Sequence, residues 1–189
     1  MINYATVIDA DVLYSASLRD FLLRLACDGS FSPFWSDEIH EEWIRNLLKN
    51  RPELKRENLE RTRRNMDSRF PKALVGGYES IIPTLKLPDQ GDRHVLAAAI
   101  HAEADSIITF NLKHFPKAAL EPYGIEAMSP DKFVLRLIQE KANLVLMVVK
   151  THRVNLTRLP KTVDEYLATL EKQKLTKTVA FLREHKGEL

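Results

Sequence analysis

The segment Tyr4-Ala-Thr-Val-Ile-Asp-Ala-Asp11 is the strongest indication of the fold, because it joins a short apolar run to two acids. Residues 4–8 show no alternation of polar and apolar side chains, which predicts a strand buried on both faces. Strands of this kind belong to parallel sheets that helices cover on both sides. Asp9 and Asp11 follow the strand at its carboxyl end, where ligands bind in open α/β sheets. We therefore expect an α/β fold with a site at this edge.

The rest of the chain alternates helical and strand-like segments. Helices are predicted over residues 12–26, 39–48, 52–69, 92–103 and 131–155, strands over residues 106–110 and 125–127, and two short amphipathic helices over residues 162–186. Gly29 is a helix stop, Ser36 is an N-cap, and Ser129-Pro130 begins a helix. Prolines and glycines interrupt residues 71–88, which predicts short helices and loops there. This order predicts a central parallel sheet flanked by helices.

Further oxygen-bearing side chains lie where the predicted fold brings them towards Asp9. Asp89 and Asp92 precede an apolar helix, Asn111 follows the strand over residues 106–110, and Glu42 lies in an amphipathic helix. Acids that converge repel one another, and a divalent cation is the usual remedy. A hard, oxygen-rich site suits Mg²⁺ or Mn²⁺ rather than zinc, and such a site with open positions performs phosphate-ester chemistry.

Each of these residues also has an ordinary structural explanation. Asp9, Asp11 and Asp92 are each placed to cap a helix, and Asn111 is placed to initiate a turn. Glu42 fits the solvated face of its helix, beside two other glutamates. The joint interpretation is stronger than any single one, because two of the residues follow strands and two lie on helices that flank those strands.

Composition limits the classes of protein to which the chain can belong. Its 189 residues suit one domain, or one domain with a helical appendage, and 44% apolar residues suffice for a core. A net charge of +2 means that nucleic-acid binding has to use a local basic patch. Cys27 is the single cysteine, which excludes a disulfide framework. With neither a signal peptide nor an apolar span, we expect a cytoplasmic protein that does not enter a membrane.

Four segments resemble the PIN-domain nucleases, and specifically the bacterial VapC-like toxins. They occur in the family's order and are Val7-Ile-Asp-Ala-Asp-Val-Leu13, Trp35-Ser-Asp-Glu-Ile-His-Glu-Glu-Trp43, Leu87-Pro-Asp-Gln-Gly-Asp-Arg-His-Val-Leu-Ala-Ala-Ala99 and Ile107-Ile-Thr-Phe-Asn-Leu-Lys-His-Phe115. The resemblance covers about residues 4–130. It implies a three-layer PIN-like fold over residues 1–130, and residues 131–189 then form a helical C-terminal extension.

The resemblance also implies catalytic and metal-binding roles. Asp9, Glu42, Asp92 and Asn111 match the family's catalytic positions, with Asp89 and Asp11 as supporting acids. Asn111 is neutral where many relatives have aspartate, and Gly91 stands where another acid is expected. Glu41 remains an alternative to Glu42. The implied activity is Mg²⁺- or Mn²⁺-dependent cleavage of RNA by an endoribonuclease, the toxin of a toxin–antitoxin pair.

Binding of RNA requires cations near these acids. Arg93 and Lys113 adjoin the expected site, and Arg61-Thr-Arg63-Arg64 has no acid among its immediate neighbours. We assign Arg93, Lys113, Arg61, Arg63 and Arg64 as candidate phosphate contacts. The alternative for the basic run is a solvated helix whose arginines pair with neighbouring glutamates.

Other functions and partners stay open at this point. A haloacid-dehalogenase-like phosphatase also begins with Asp-x-Asp, but Leu13 replaces the expected hydroxyl residue. A PIN-like binding module without activity and a housekeeping RNA-processing nuclease are further alternatives. The apolar stripes of the extension either cap the sheet, form a homodimer interface or receive a protein antitoxin.

Overall fold

A computed structural model describes residues 4–156 and 159–189 of the chain. Residues 1–3, on which the prediction about a signal peptide partly depends, lie outside the described residues. The chain divides into two compact units, one of Met1–Tyr14 with Ser32–Met128 and the other of Ser15–Phe31 with Ser129–Leu189. No helix in the described ranges has both the length and the apolar character needed to cross a membrane.

A five-stranded sheet organises the fold. Its strands are β1 (Tyr4–Ile8), β2 (Phe31–Ser36), β3 (Leu74–Val75), β4 (Ser106–Ile108) and β5 (Glu126–Met128). Their order is β3-β2-β1-β4-β5, and the pairs β1/β4, β2/β3 and β4/β5 are parallel. In this register Val7 lies opposite Ile107, which lies opposite Ala127. The prediction of a three-layer α/β fold with a central parallel sheet is confirmed.

Helices make up most of the remaining structure. In chain order the α-helices of the described residues are α1 (Ala10–Leu13), α2 (Ala16–Cys27), α3 (Asp37–Asn50), α4 (Arg56–Arg69), α5 (Arg93–His101), α6 (Lys117–Leu120), α7 (Pro130–Val154), α8 (Val163–Lys172) and α9 (Thr176–Glu184). Three consecutive alanines of α5, Ala97 to Ala99, are fully buried, and α5 packs against β1 and β4. Because alanine side chains are small, α5 packs closely against these strands. The start of α5 lies near their carboxyl ends.

The predicted helix ends agree with the structure. Ser36 Oγ accepts a hydrogen bond from the Ile39 N–H at 3.2 Å, and Ser129 Oγ accepts one from the Lys132 N–H at 3.2 Å. Gly29, at φ +76°, follows the end of α2 in the left-handed conformation that glycine tolerates. The cap at Ser36 is important for function, because it fixes the first turn of α3 directly after β2.

Two predictions about local structure were wrong, and one strand was not predicted. The helix predicted over residues 12–26 is divided, since Ser15 Oγ accepts from the Leu18 N–H at 3.4 Å and begins a new helix. Strand β2 was not predicted, because Pro33 interrupts the pattern that indicates a strand. Strand β3, only two residues long, lies in the region predicted as short helices and loops.

The second unit is helical and contains α2, α7, α8 and α9. Two or more helices were predicted over residues 131–155, and α7 consists of two helical segments that meet in a kink at Lys141, which has non-helical dihedral angles. Its Nζ donates to the carbonyl oxygens of Gly29 at 3.3 Å and Ser30 at 3.1 Å, at the end of α2. The domain boundary at residue 130 stays a prediction, although residues 15–31 group with the C-terminal helices.

Candidate metal centre

Asp9 is the most buried acid of the site, with 4% of its surface exposed. It ends β1 and caps α1, and its Oδ1 accepts a hydrogen bond from the Ala10 N–H at 2.7 Å. Its Oδ2 accepts a hydrogen bond from Thr109 Oγ1 at 2.7 Å. The predicted capping role is therefore real, but it uses only one of the two carboxylate oxygens. The second oxygen faces the neighbouring strand β4.

Asp11 lies in the first turn of α1 and also faces the segment after β4. Its Oδ2 accepts a hydrogen bond from the Phe110 N–H at 3.0 Å and lies 3.3 Å from Thr109 Oγ1. Its Oδ1 is buried and has no hydrogen-bond partner in the described part of the chain. A buried carboxylate oxygen without a partner is costly unless a cation binds it.

The two aspartates hold protons more strongly than ordinary carboxyl groups. Burial, and then the negative charge of Asp11, raise the pKa of Asp9 to about 7, against the hydrogen bonds from Thr109 and Ala10. Burial also raises the pKa of Asp11 to about 6, against the hydrogen bond from the Phe110 N–H. The negative charge of Glu42 contributes to both shifts. The negative charges of these acids repel one another, and a bound cation would stabilise their ionised forms.

Asp92 and Asp89 approach the site from the start of α5. Asp92 occupies the N-cap position of α5, but its side chain makes no capping hydrogen bond. Helix capping therefore does not explain the acid at this position. Its Oδ2 lies 2.6 Å from His114 Nδ1, and Asp89 Oδ2 lies 3.8 Å from the same nitrogen. One ligand atom from each of Asp89, Asp92 and His114 lies within 4.8 Å of the others. His114 was not among the predicted site residues, although it follows Asn111 by three positions.

Glu42 projects from α3 towards these acids. Its Oε2 lies 3.4 Å from Nε2 of His94, and its charge raises the pKa of Asp92 as well as those of Asp9 and Asp11. Glu41 instead forms an ion pair with Arg56 of α4. The geometry therefore favours Glu42 over Glu41 as the glutamate of the site.

His94 lies between two glutamates of α3. Its Nδ1 is 3.7 Å from Glu38 Oε2, and Glu38 also accepts a hydrogen bond from the Tyr78 hydroxyl at 3.0 Å. Burial of the imidazole lowers the pKa of His94, but the contact with Glu42 and the charges of Glu38 and Glu42 outweigh burial and raise it. Neither His94 nor Glu38 was predicted as a site residue, and only the motif spacing around Asp92 pointed to this helix face.

Asn111 follows β4 on the loop that carries His114. Its backbone N–H donates to Thr109 Oγ1 at 2.9 Å, and the His114 N–H donates to the Asn111 carbonyl at 2.9 Å. Thr109 thus contacts Asp9 and the Asn111 backbone through one hydroxyl. Thr109 was not among the predicted site residues, although it lies between a strand and the polar Asn111 two residues later.

The cavity at the site has a volume of about 470 Å³. Its lining residues are Glu38, Glu41, Glu42, Arg45, Asp89, Gly91, Asp92 and His94. Gly91, where an acid was expected, lies over Asp89, and a Cβ there would be 3.1 Å from Asp89 Oδ1. A side chain at this position would require the Asp89 carboxylate to shift by a few tenths of an ångström.

The predicted cations occupy different situations. Arg61 and Arg64 are exposed on α4, and Arg63 forms ion pairs with Asp37 and Asp67. Arg93 Nε donates to the Gln90 carbonyl at 3.4 Å, and Lys113 is exposed beside Asn111. Arg93 and Lys113 adjoin Asp92 and Asn111 in the chain, while Arg63 is paired with acids of the protein.

The donor set fits a hard divalent cation. The negative charges of Asp9, Asp11, Glu42 and Asp92 act on one another, one buried oxygen of Asp11 has no partner among the described residues, and Asp9 and Asp11 have raised pKa values. Oxygen ligands of this kind are those that Mg²⁺ and Mn²⁺ prefer. Fold and site together define an α/β protein of the class with a cluster of carboxylates at the carboxyl ends of its parallel strands.

Comparison with known proteins assigns the family. Residues 5–113, more than half of the chain, match the model of the PIN domain, and residues 130–184 match that of the VapC50 C-terminal domain. The chain therefore belongs to the PIN domain family, and the VapC-like character that its motifs indicated is confirmed.

A curated relative extends this comparison. The protein named "Putative ribonuclease VapC50" from Mycobacterium tuberculosis (strain ATCC 25618 / H37Rv) is 49% identical over 63 residues. These residues are 33% of this chain, and the match spans 37% of the relative's length. No solved structure matches the chain.

Proposed function

We propose that the protein is a metal-dependent endoribonuclease and the toxin of a toxin–antitoxin pair. The observation that carries the proposal is a group of acids, Asp9, Asp11, Glu42 and Asp92, whose negative charges act on one another beside a buried, unpartnered oxygen of Asp11. The name of the VapC50 relative, which describes a ribonuclease, supports the same reaction. Hydrolysis of a phosphodiester bond requires an activated water molecule and neutralisation of phosphate charge, and this donor set suits both tasks.

Each residue then has a defined task. Asp9, Glu42 and Asp92 would hold magnesium or manganese, with Asp89 as a supporting acid, and Asn111 would orient a ligand through its amide oxygen without adding charge. A metal ion held there would supply activation of water and neutralisation of phosphate charge. Thr109 keeps Asp9 oriented, because it donates to one oxygen of that carboxylate. Lys113 and Arg93 neutralise phosphates of the RNA.

Cleavage of a mixed pool of structured RNA tests the proposal. The purified protein is assayed with Mn²⁺, with Mg²⁺ and with a chelator, alongside the Asp92→Asn variant. We expect cleavage that needs the metal and disappears in the variant. Metal-independent cleavage that survives in the variant would overturn the assignment of the site. Absence of cleavage by folded protein free of any inhibitory partner would overturn the activity.

The toxin role needs its own experiment. Expression of the wild-type chain in a bacterial host is expected to arrest growth, whereas the Asp92→Asn variant, expressed to the same level, is expected to be tolerated. A small neighbouring gene for a DNA-binding protein is the expected source of the antitoxin. Equal growth with both proteins would contradict the toxin role and leave an RNA-processing nuclease. Size-exclusion chromatography with light scattering would show whether the protein forms a homodimer.

A further inference from the structure

Arg45 is a cation at the edge of an otherwise acidic cavity. It lies on α3, is exposed to solvent, and lines the 470 Å³ cavity together with Glu42 and Asp92. Arg45 lies about one helical turn after Glu42 and therefore adds a guanidinium group to the helix surface that presents the acids. The five phosphate contacts predicted from the sequence do not include Arg45, because it has no basic residue among its immediate neighbours.

The carboxylates nearest to Arg45 in the helix are engaged elsewhere. Glu41, four residues earlier, forms an ion pair with Arg56 of α4. Glu42, three residues earlier, lies 3.4 Å from His94 Nε2. Pairs at these spacings normally attract each other on a helix surface. Within residues 4–156 and 159–189, however, Arg45 makes no ion pair, so its charge is available to a ligand.

Other cations of the region are less available. Arg63 is held by Asp37 and Asp67, and Arg56 by Glu41 and Glu60. Arg93 is not among the residues that line the cavity, and its Nε donates a hydrogen bond to the backbone carbonyl of Gln90. A polyanion that approaches the acids therefore encounters the guanidinium group of Arg45 in the lining of the cavity.

We propose that Arg45 binds a phosphate of the RNA next to the scissile one. This inference rests on the proposed ribonuclease function and names a substrate contact for the same site. An RNA chain needs a cation at an acidic cavity, because the carboxylates repel its phosphates wherever no metal intervenes. A guanidinium group is suited to the contact, since its planar fork donates two parallel hydrogen bonds to phosphate oxygens.

Binding and cleavage are measured separately to test this contact. Binding of a fluorescein-labelled, random-sequence 20-nucleotide RNA is followed by anisotropy in EDTA, over a series of salt concentrations. The variants are Arg45→Ala and Arg45→Lys. Lys72→Ala is the matched control, because it also removes one exposed positive charge but precedes β3, at the opposite end of the parallel strands. Circular dichroism and thermal melting establish that each variant is folded.

We expect Arg45→Ala to weaken binding about tenfold, as for a hydrogen bond to a charged group. The slope of log affinity against log salt should fall by about 0.7, the value for one contact to single-stranded nucleic acid. Arg45→Lys should keep the salt slope and recover part of the affinity, because it retains the charge without the fork. In cleavage assays Arg45→Ala should raise KM more than it lowers kcat.

Equal affinity and salt slope for Arg45→Ala and Lys72→Ala would overturn the contact. If the wild-type protein cleaves RNA while the two variants bind it equally, only this inference fails and the ribonuclease function stands. If the wild-type protein binds RNA but never cleaves it, the function fails, and the loss of affinity in Arg45→Ala still supports the contact. Wild-type protein that binds no RNA overturns both.

Discussion

Thr109 Oγ1 donates a hydrogen bond to Asp9 Oδ2 over 2.7 Å and accepts one from the Asn111 N–H over 2.9 Å. The hydroxyl group thereby connects the end of β1 to the loop after β4. Both Thr109 and Asp9 are buried, so water cannot replace either bond at low cost. The first acid of the site and the polar position after the second strand are held together by one side chain.

Replacement of Thr109 by valine removes this hydroxyl and keeps the branched shape. We expect about a tenfold loss of Mn²⁺ affinity, the size of effect that loss of a partner behind a metal ligand produces. Isothermal titration calorimetry measures it. The control is Thr6→Val, since Thr6 Oγ1 lies 3.0 Å from Ser106 Oγ in the same strand pair, away from the acids. Equal losses in both variants would show that Thr109 acts through stability alone.

The metal-free protein should lose stability as the pH rises. Asp9 has a folded-state pKa of about 7 against an ordinary value of 3.8, so the folded state binds more protons than the unfolded state between these values. The free energy of unfolding therefore falls as pH increases through this range. The Asp9→Asn variant lacks this carboxyl group and avoids the loss.

Thermal melting in EDTA at pH 5 and pH 8 measures this difference. The melting temperature of Asp9→Asn relative to that of the wild type should rise between the two pH values by about 5 °C, as expected for a change of one to two kcal/mol in a chain of this size. Comparison of the two proteins cancels the pH-dependent contributions of groups remote from Asp9. One such group is His40, whose pKa is lowered by burial. A difference that does not change with pH would mean that Asp9 is ionised without cost.

Asp9→Asn should also abolish cleavage while the protein stays folded. The amide cannot supply the charge that holds the metal, but its oxygen still accepts from the Ala10 N–H. A fall in activity of at least about a hundredfold is expected, as for loss of a group that stabilises transition-state charge. Cleavage assays with Mn²⁺, together with circular dichroism, check both statements. Full activity in this variant would contradict the proposed site.

The sheet could be predicted where its strands are continuous and apolar. Residues 6–8 and 106–108 are buried, as their apolar, β-branched composition indicated. Strand β2 escaped prediction because its contacts with neighbours stabilise it in spite of Pro33. Strand β3 has two residues, too few for any periodicity. Long-range pairing therefore decided the parts of the sheet that local sequence could not.

The candidate site was predictable in its acids but not in the side chains around them. Asp9, Glu42 and Asp92 adjoin regular apolar patterns, so their location followed from the predicted fold. Thr109 acts through its contact with Asp9, which is 100 positions away, and His94 through its contact with Glu42, which is 52 positions away. No spacing in the sequence reveals such contacts. The pairing of Glu41 with Arg56, which leaves Glu42 to the site, likewise depends on how α3 and α4 pack.

His94 permits a test of which nitrogen supports the site. Its Nε2 faces Glu42, and its Nδ1 faces Glu38. Glutamine places its amide nitrogen near the position of Nε2, whereas asparagine places it near that of Nδ1. If the contact with Glu42 orients a metal ligand, His94→Gln should bind Mn²⁺ almost as tightly as the wild type, and His94→Asn about tenfold more weakly.

Calorimetric titration with Mn²⁺ distinguishes the two variants, and His101→Gln is the control because His101 is exposed on the same helix. A purely structural role for the imidazole would make both His94 variants equally weak or equally tight. The reverse order of affinities would assign the support to Glu38 instead, and Glu38→Gln should then reproduce the loss. Agreement with the expected order would establish that α5 contributes to the metal centre twice, through Asp92 and through the orientation of Glu42.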